Sequence, residues 1–343
     1  VLLIGRFASL LDPGAALFLV LAAVPLGGSV FAAVYHAEII AHRIGEPFGS
    51  IVLAAAVTVI EVSLIVSIMV SAPDGGKAVA RDTVFAAVMV VLNGVVGLCL
   101  LIGGVQHREQ GFQAQGAAAA LSVLGTLATL VLILPSYTLA EPGPTYSTVQ
   151  LAFVAAVSLA LYGLFLFVQT IRHRSDFLDL NHTPSSHHAG PSGRAVAVSG
   201  VLLFAALSGV ILIAETLSPA IERGVAGAGL PPEFVGVIIA SMVLLPEGTS
   251  ALRAARANRL QTSLNLALGS ALASIGLSIP TVAVVSLLLE RPLSLGLDPE
   301  YMVLLVLTFF VSTLTLATGR TTVLQGGVHL VIFASFVTIA AVP

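Results

Sequence analysis

Ten runs of mainly apolar residues, each about as long as a bilayer is thick, leave this chain few folds to choose from. They lie near 14–41, 50–72, 83–105, 116–134, 147–171, 195–218, 233–252, 263–289, 301–318 and 322–342. Crossing a hydrocarbon core of about 30 Å takes roughly 20 helical residues, and a spanning segment must satisfy its own backbone polar groups. The expected fold is therefore an all-α polytopic membrane protein. Composition agrees: 9% of residues are charged and 57% hydrophobic, against about 25% charged in soluble domains. The net charge of −3 gives no reason to expect a nucleic-acid partner, and the surrounding partner is membrane lipid. The single cysteine, Cys99, sits inside an apolar run, so there is no disulfide framework and it reads as a small packing residue.

Residues 1–11 are too short to span and carry Arg6. They read as the tail of a partial first helix (1–13) that starts upstream, giving about 11 transmembrane helices. The joints Ala72-Pro73-Asp74-Gly75-Gly76 and Glu141-Pro142-Gly143-Pro144 have turn composition. Basic residues then orient the chain. One alternate set of loops holds Arg43, Arg108, Arg172, Arg174, Arg194, Arg253, Arg256, Arg259 and Arg320; the other holds Arg6, Lys77, Arg81, Arg223 and Arg291. The richer set is assigned to the cytoplasm, which places the C-terminus on the far side. The longest polar stretch, 172–194, is then a cytoplasmic linker between residues 14–171 and 195–343. Its His173, His182, His187 and His188 fit a solvated linker better than a metal or pH sensor.

The two halves share a pattern. Phe48-Gly-Ser-Ile-Val-Leu-Ala-Ala-Ala-Val-Thr-Val-Ile-Glu61 and Phe234-Val-Gly-Val-Ile-Ile-Ala-Ser-Met-Val-Leu-Leu-Pro-Glu247 match at Phe48/Phe234, Ala54/Ala240, Val57/Val243 and Glu61/Glu247. Apolar identities are cheap in this composition; the glutamates are not. Five helices per half give the halves opposite orientations, so the chain is expected to hold two inverted five-helix repeats, an architecture of secondary transporters. A weaker acidic match, Glu38 with Glu215, lies one helix before each central glutamate.

An ionisable group in mid-span costs at least about 2.5–3.5 kcal/mol on insertion scales and ordinarily faces a bundle interior or watery cavity. Glu61 is the only charge between Gly49 and Asp74. Glu247 is six residues before Arg253, close enough for the two to snorkel together. Pro246, however, deprives the Met242 carbonyl of its helical donor, and a carboxylate beside such oxygen suits a hard cation. Calcium takes six to eight oxygen ligands, whereas softer metals favour His or Cys, absent next to either acid. Supporting oxygens are available from Thr58, Asn93, Ser270 and Ser274, with Ser278, Thr249 and Ser250 nearby. Each of these also has a plain helix-packing reading. His36 and His329, within spans, stay open.

Three segments, His36–Ile65, Pro231–Pro280 and Thr318–Leu330, resemble the bacterial calcium/proton antiporters of the cation/calcium exchanger superfamily. The resemblance runs from about residue 14 to the end. It implies an initial helix plus two inverted five-helix repeats in the bacterial inner membrane. It also implies exchange of cytoplasmic calcium for protons, with Glu61 and Glu247 as the central ligands and Glu38 and Glu215 on the access paths. No cofactor beyond the transported calcium and protons is implied. The chain departs from relatives that carry Gly-Asn-Ala before each central glutamate: Thr58-Val59-Ile60 and Leu244-Leu245-Pro246 stand there. A glutamine usual in the following helix is replaced near Ala273, and the linker holds only Asp176 and Asp179 where relatives are often strongly acidic. Sodium or potassium exchange for protons is thus the second reading and a passive cation channel the third. An intramembrane hydrolase is disfavoured, since neither His-Glu-x-x-His nor Gly-x-Ser-x-Gly occurs.

Overall fold

The computed structural model describes residues 16–45, 48–71, 76–179, 191–290 and 293–342. Among them ten helices are long and apolar enough to cross a membrane; the partial helix expected over 1–13 lies outside the described residues. In chain order they are α1 (Ala16–Ile44), α2 (Phe48–Ser71), α3 (Val79–His107), α4 (Ala114–Tyr137) and α5 (Thr148–Arg172). The second half supplies α6 (Gly193–Gly227), α7 (Phe234–Arg256), α8 (Leu260–Leu288), α9 (Pro299–Leu316) and α10 (Val323–Ala341). Of the linker, 172–179 and 191–194 are described; His182, His187 and His188 lie outside. Helix α6 runs past the expected end near 218, through Pro219 to Gly227.

Local chemistry sets the helix ends. Ser147 with Gln150 and Thr322 with Gln325 form reciprocal capping boxes opening α5 and α10, which satisfy otherwise orphaned N–H groups. Past α9, Gly319 turns the chain at φ +69°, a conformation glycine adopts without steric cost. Helices α3 and α8 each change to a π turn in mid-course, at Val90–Val95 and Ser274–Ser278. Such turns are uncommon and gather at functional positions.

Alternate loops meet at opposite ends of the bundle, as spanning helices require. At one end β1 (Gln110–Gly111), after α3, pairs antiparallel with β2 (Arg320–Thr321), after α9. There the Gln110 amide donates to Ala255 O at 2.9 Å, and Asn265 donates to Phe177 O at 2.6 Å. The loops after α3, α5, α7 and α9 are thereby tied together. At the other end Ser294 N donates to Lys77 O at 3.0 Å and Gly296 N to Pro144 O at 3.0 Å, joining the loops after α2, α4 and α8.

The packing has the internal symmetry of the repeat. Helix α3 lies against α7 and α10, and its counterpart α8 lies against α2 and α5; α1 and α6 pair with each other. Swapping the halves maps these contacts onto themselves. Two large apolar clusters result, with a small third at Cys99, Ala251 and Ala255. Residues of α1, α2, α6 and α7 form one; the larger is built on α3, α4, α5, α8, α9 and α10, with inward-facing residues of α2 and α7. Close approach of α3 and α10 needs Gly326, where an added Cβ would fall 2.4 Å from Leu101 N. Outside, Phe204, Leu324 and Phe310 are well exposed, as an apolar solvent allows.

Two outcomes follow. Cysteines introduced at Glu109 and Asn258 should react with an impermeant maleimide from one side of sealed vesicles, and cysteines at Lys77 and Ser294 from the other; mixed sidedness would contradict this arrangement. Gly326→Val should lower the melting temperature of purified protein sharply, since the backbone of α3 has to move to admit the side chain.

Candidate functional site

Glu61 on α2 and Glu247 on α7 occupy corresponding helices of the two halves, which pack against each other. Both are buried, at 2% and 8% exposure. The π turn of α8 comes up against α2, bringing two hydroxyls onto one carboxylate oxygen. Ser274 donates to Glu61 Oε2 at 3.0 Å and Ser278 to the same atom at 2.7 Å. Glu61 Oε1 and both oxygens of Glu247 are buried without a hydrogen-bond partner, as is the hydroxyl of Ser270, one turn before Ser274.

Among the described residues no basic group neutralises these acids. The ion pairs among the described residues use Asp82, Asp298, Asp176 and Glu109. Arg253, which the sequence left as a snorkelling partner for Glu247, instead reaches Thr249 Oγ1 at 3.4 Å. Pro246 does not interrupt α7, which is helical throughout, and Thr249 donates to its carbonyl at 2.9 Å. Among the described residues no three His, Cys, Asp and Glu side chains cluster as a metal group. An ion here would need hydroxyl, carbonyl or water oxygens besides the carboxylates, which is the habit of hard cations.

The other residues singled out in the sequence divide. Thr58, one turn before Glu61, donates to Ala54 O at 2.8 Å and keeps its own oxygen as an acceptor. Ser274 reaches Glu61. Asn93 does not join this group: its Nδ2 donates to Thr308 Oγ1 at 2.9 Å and its Oδ1 lies 3.1 Å from His329 Nδ1. Its polarity and mid-span place mark it as a candidate ligand in the sequence, which does not show that α9 and α10 offer it partners. Glu38 is half-buried on α1. Glu215 lies on α6, with its side chain outside what is described. His36 meets Ser199 of α6 at 3.3 Å. Ser278 makes the shorter bond to Glu61, and the signal for it is its spacing, four residues after Ser274 and eight after Ser270.

The sequence pattern of the sodium/calcium exchanger protein family matches residues 14–171 and 198–342. The chain belongs to this family. It is thus a multi-pass bacterial membrane protein of an antiporter family. A putative ionic transporter of Sinorhizobium fredii, y4hA, is 53% identical over 336 residues, covering 98% of this chain and 92% of that one. The sodium-potassium/proton antiporter ChaA of Escherichia coli is 35% identical over 320 residues, covering 92% and 86%. Among solved structures, YfkE superposes with a TM-score of 0.78 at 17% identity, covering 98% and 96%. The proton/calcium exchanger CAX gives 0.69 at 16%, covering 94% and 81%. These likenesses bear out the fold of two inverted repeats.

Ser278→Ala removes the shorter of two hydrogen bonds to a charged group, worth about 1.5–3 kcal/mol. Cation affinity should fall about tenfold or more, measured by ion-driven proton flux in proteoliposomes, whereas Thr313→Val on exposed α9 surface should change nothing.

Proposed function

We propose that this protein exchanges a cation for protons by alternating access, with Glu61 and Glu247 binding both in turn. The observation that carries this reading is the pair of buried carboxylates with three oxygens unpartnered and, among the described residues, no basic group paired with them. Two negative charges enclosed together are costly, so each state of the site needs a neutraliser. A bound cation supplies it electrostatically and displaces protons; without the cation, protons return. The two acids titrate as one unit. Exclusive occupancy is what couples the two fluxes, and a passive channel has no need of it.

Calcium is the first choice of cation, on the chemistry of an all-oxygen site with two carboxylates. The YfkE and CAX structures, named as calcium/proton antiporter and exchanger, support it. The sodium-potassium/proton name of the Escherichia coli relative favours monovalent ions as the second reading. The absence of amide oxygen beside either glutamate points the same way. Thr58, Ser270 and Ser274 are assigned as supporting oxygens and Glu38 and Glu215 as proton-access groups. Residues 14–171 and 195–343 act as the two repeats, and the 172–194 linker lies in the cytoplasm. The protein catalyses no covalent chemistry.

Glu61→Gln and Glu247→Gln keep shape and remove charge, so each should abolish cation-dependent proton movement in inverted vesicles while folded protein stays in the membrane. Near-normal exchange in either variant removes that residue from the centre. In wild type, flux scanned across calcium, sodium, potassium and manganese identifies the cation. Glu38→Ala should slow transport while leaving equilibrium cation affinity in place; loss of cation binding would contradict an access role.

A further inference from the structure

The two π turns beside the central glutamates differ in what they offer them, and a buried histidine accounts for the difference. In the second half, the π turn of α8 aims Ser274 and Ser278 at Glu61. The counterpart turn in α3, Val90–Val95, packs beside Glu247: a Cβ added to Gly248 would lie 3.3 Å from Val95 Cγ2. That turn also carries a hydrogen-bonding side chain, Asn93, yet Glu247 receives nothing from it.

Asn93 is held elsewhere by hydrogen bonds to α9 and α10. Thr308 and Thr315 lie two turns apart on α9, both buried. Asn93 donates through Nδ2 to Thr308 Oγ1 at 2.9 Å, and Thr308 reaches Met89 Sδ at 3.4 Å. His329 on α10, 1% exposed, bridges the rest, with Nδ1 3.1 Å from Asn93 Oδ1 and Nε2 3.1 Å from Thr315 Oγ1. Proton bookkeeping fixes the directions. An amide oxygen only accepts, so Nδ1 carries the hydrogen; in a neutral ring Nε2 then accepts from the Thr315 hydroxyl. The ring sits where α3 and α10 touch, since a Cβ at Gly97 would be 3.0 Å from His329 Cβ.

We infer that His329 is a positioning residue for the cation site. By holding Asn93, it fixes the α3 π turn behind Glu247 and keeps that carboxylate unpaired for its mobile partner. It sets the concentration of cation that half-saturates exchange without touching the ion. This rests on the antiport function proposed above. Losing His329 leaves the Asn93 oxygen buried and unsatisfied, a cost large enough to release the turn.

The test uses purified full-length protein in proteoliposomes with a pH-sensitive dye, titrating whichever of calcium, sodium or potassium drives proton flux in wild type. His329→Leu should shift the half-saturating concentration at least about fivefold with a smaller change in maximal rate. His329→Asn, whose amide N–H can stand in for Nδ1, should restore the wild-type value. In Asn93→Leu, which should itself shift half-saturation, adding His329→Leu should change nothing further. Should His329→Leu fail to fold, Thr315→Val, which removes the hydroxyl donating to Nε2, should give a smaller shift in the same direction. The inference is overturned by an unmoved half-saturation in the foldable variants, by His329→Asn behaving like His329→Leu, or by additive effects in the double variant. Wild type that moves no protons with any of these cations overturns the function and this inference together.

Discussion

A carboxylate enclosed among lipid-spanning helices with no basic side chain beside it has to be neutralised by something that comes and goes. Glu61 and Glu247 are in that position, and much of the surrounding structure serves to hold them there. Two structural acids would be matched to arginine or lysine, as Asp82 and Asp298 are by Arg81 near the other end of the bundle. The contrast within one molecule is informative: buried Asp82 has Arg81 as its partner, whereas Glu61 and Glu247 have no ion pair among the described residues.

The inverted repeat supplies two helices that pack together, and the π turns supply their surroundings. A regular helix directs side chains four apart to slightly different sectors; a local change of pitch re-aims them. In α8 this brings Ser274 and Ser278 onto a single oxygen of Glu61. In α3 the same device, combined with partners from α9 and α10, takes Asn93 away from Glu247. The two acids are therefore related by symmetry in backbone and unlike in hydrogen bonding. One is anchored and the other is left open, a useful division for a site that alternates between occupants.

Much of this was legible in the sequence because it depends on local quantities. Span length and apolar composition located ten helices, and the rarity of mid-span charge singled out Glu61 and Glu247. The basic residues sorted the loops into two alternating sets, and the loop contacts gather those sets at opposite ends. What could not be read were choices made by packing. Asn93 and Ser274 look equivalent as mid-span polar residues; only the neighbours separate them, Thr308 and His329 for one and Glu61 for the other. Pairing of Gln110–Gly111 with Arg320–Thr321 joins segments some 210 residues apart, which no local pattern encodes. That α7 runs unbroken through Pro246 is likewise decided by packing, since the residue itself fixes only the loss of one N–H.

The central claim is that cation and protons compete for the same carboxylates, and calorimetry on purified protein tests it without any transport assay. The cation that binds wild type is titrated in several buffers of differing ionisation enthalpy at one pH. Binding heat should vary linearly with that enthalpy, its slope giving net proton release on cation binding, and the slope should vanish together with binding when Glu61 and Glu247 are both glutamine. Heat that is the same in every buffer, with the cation bound tightly, would mean that the ion enters without displacing protons and would contradict the account.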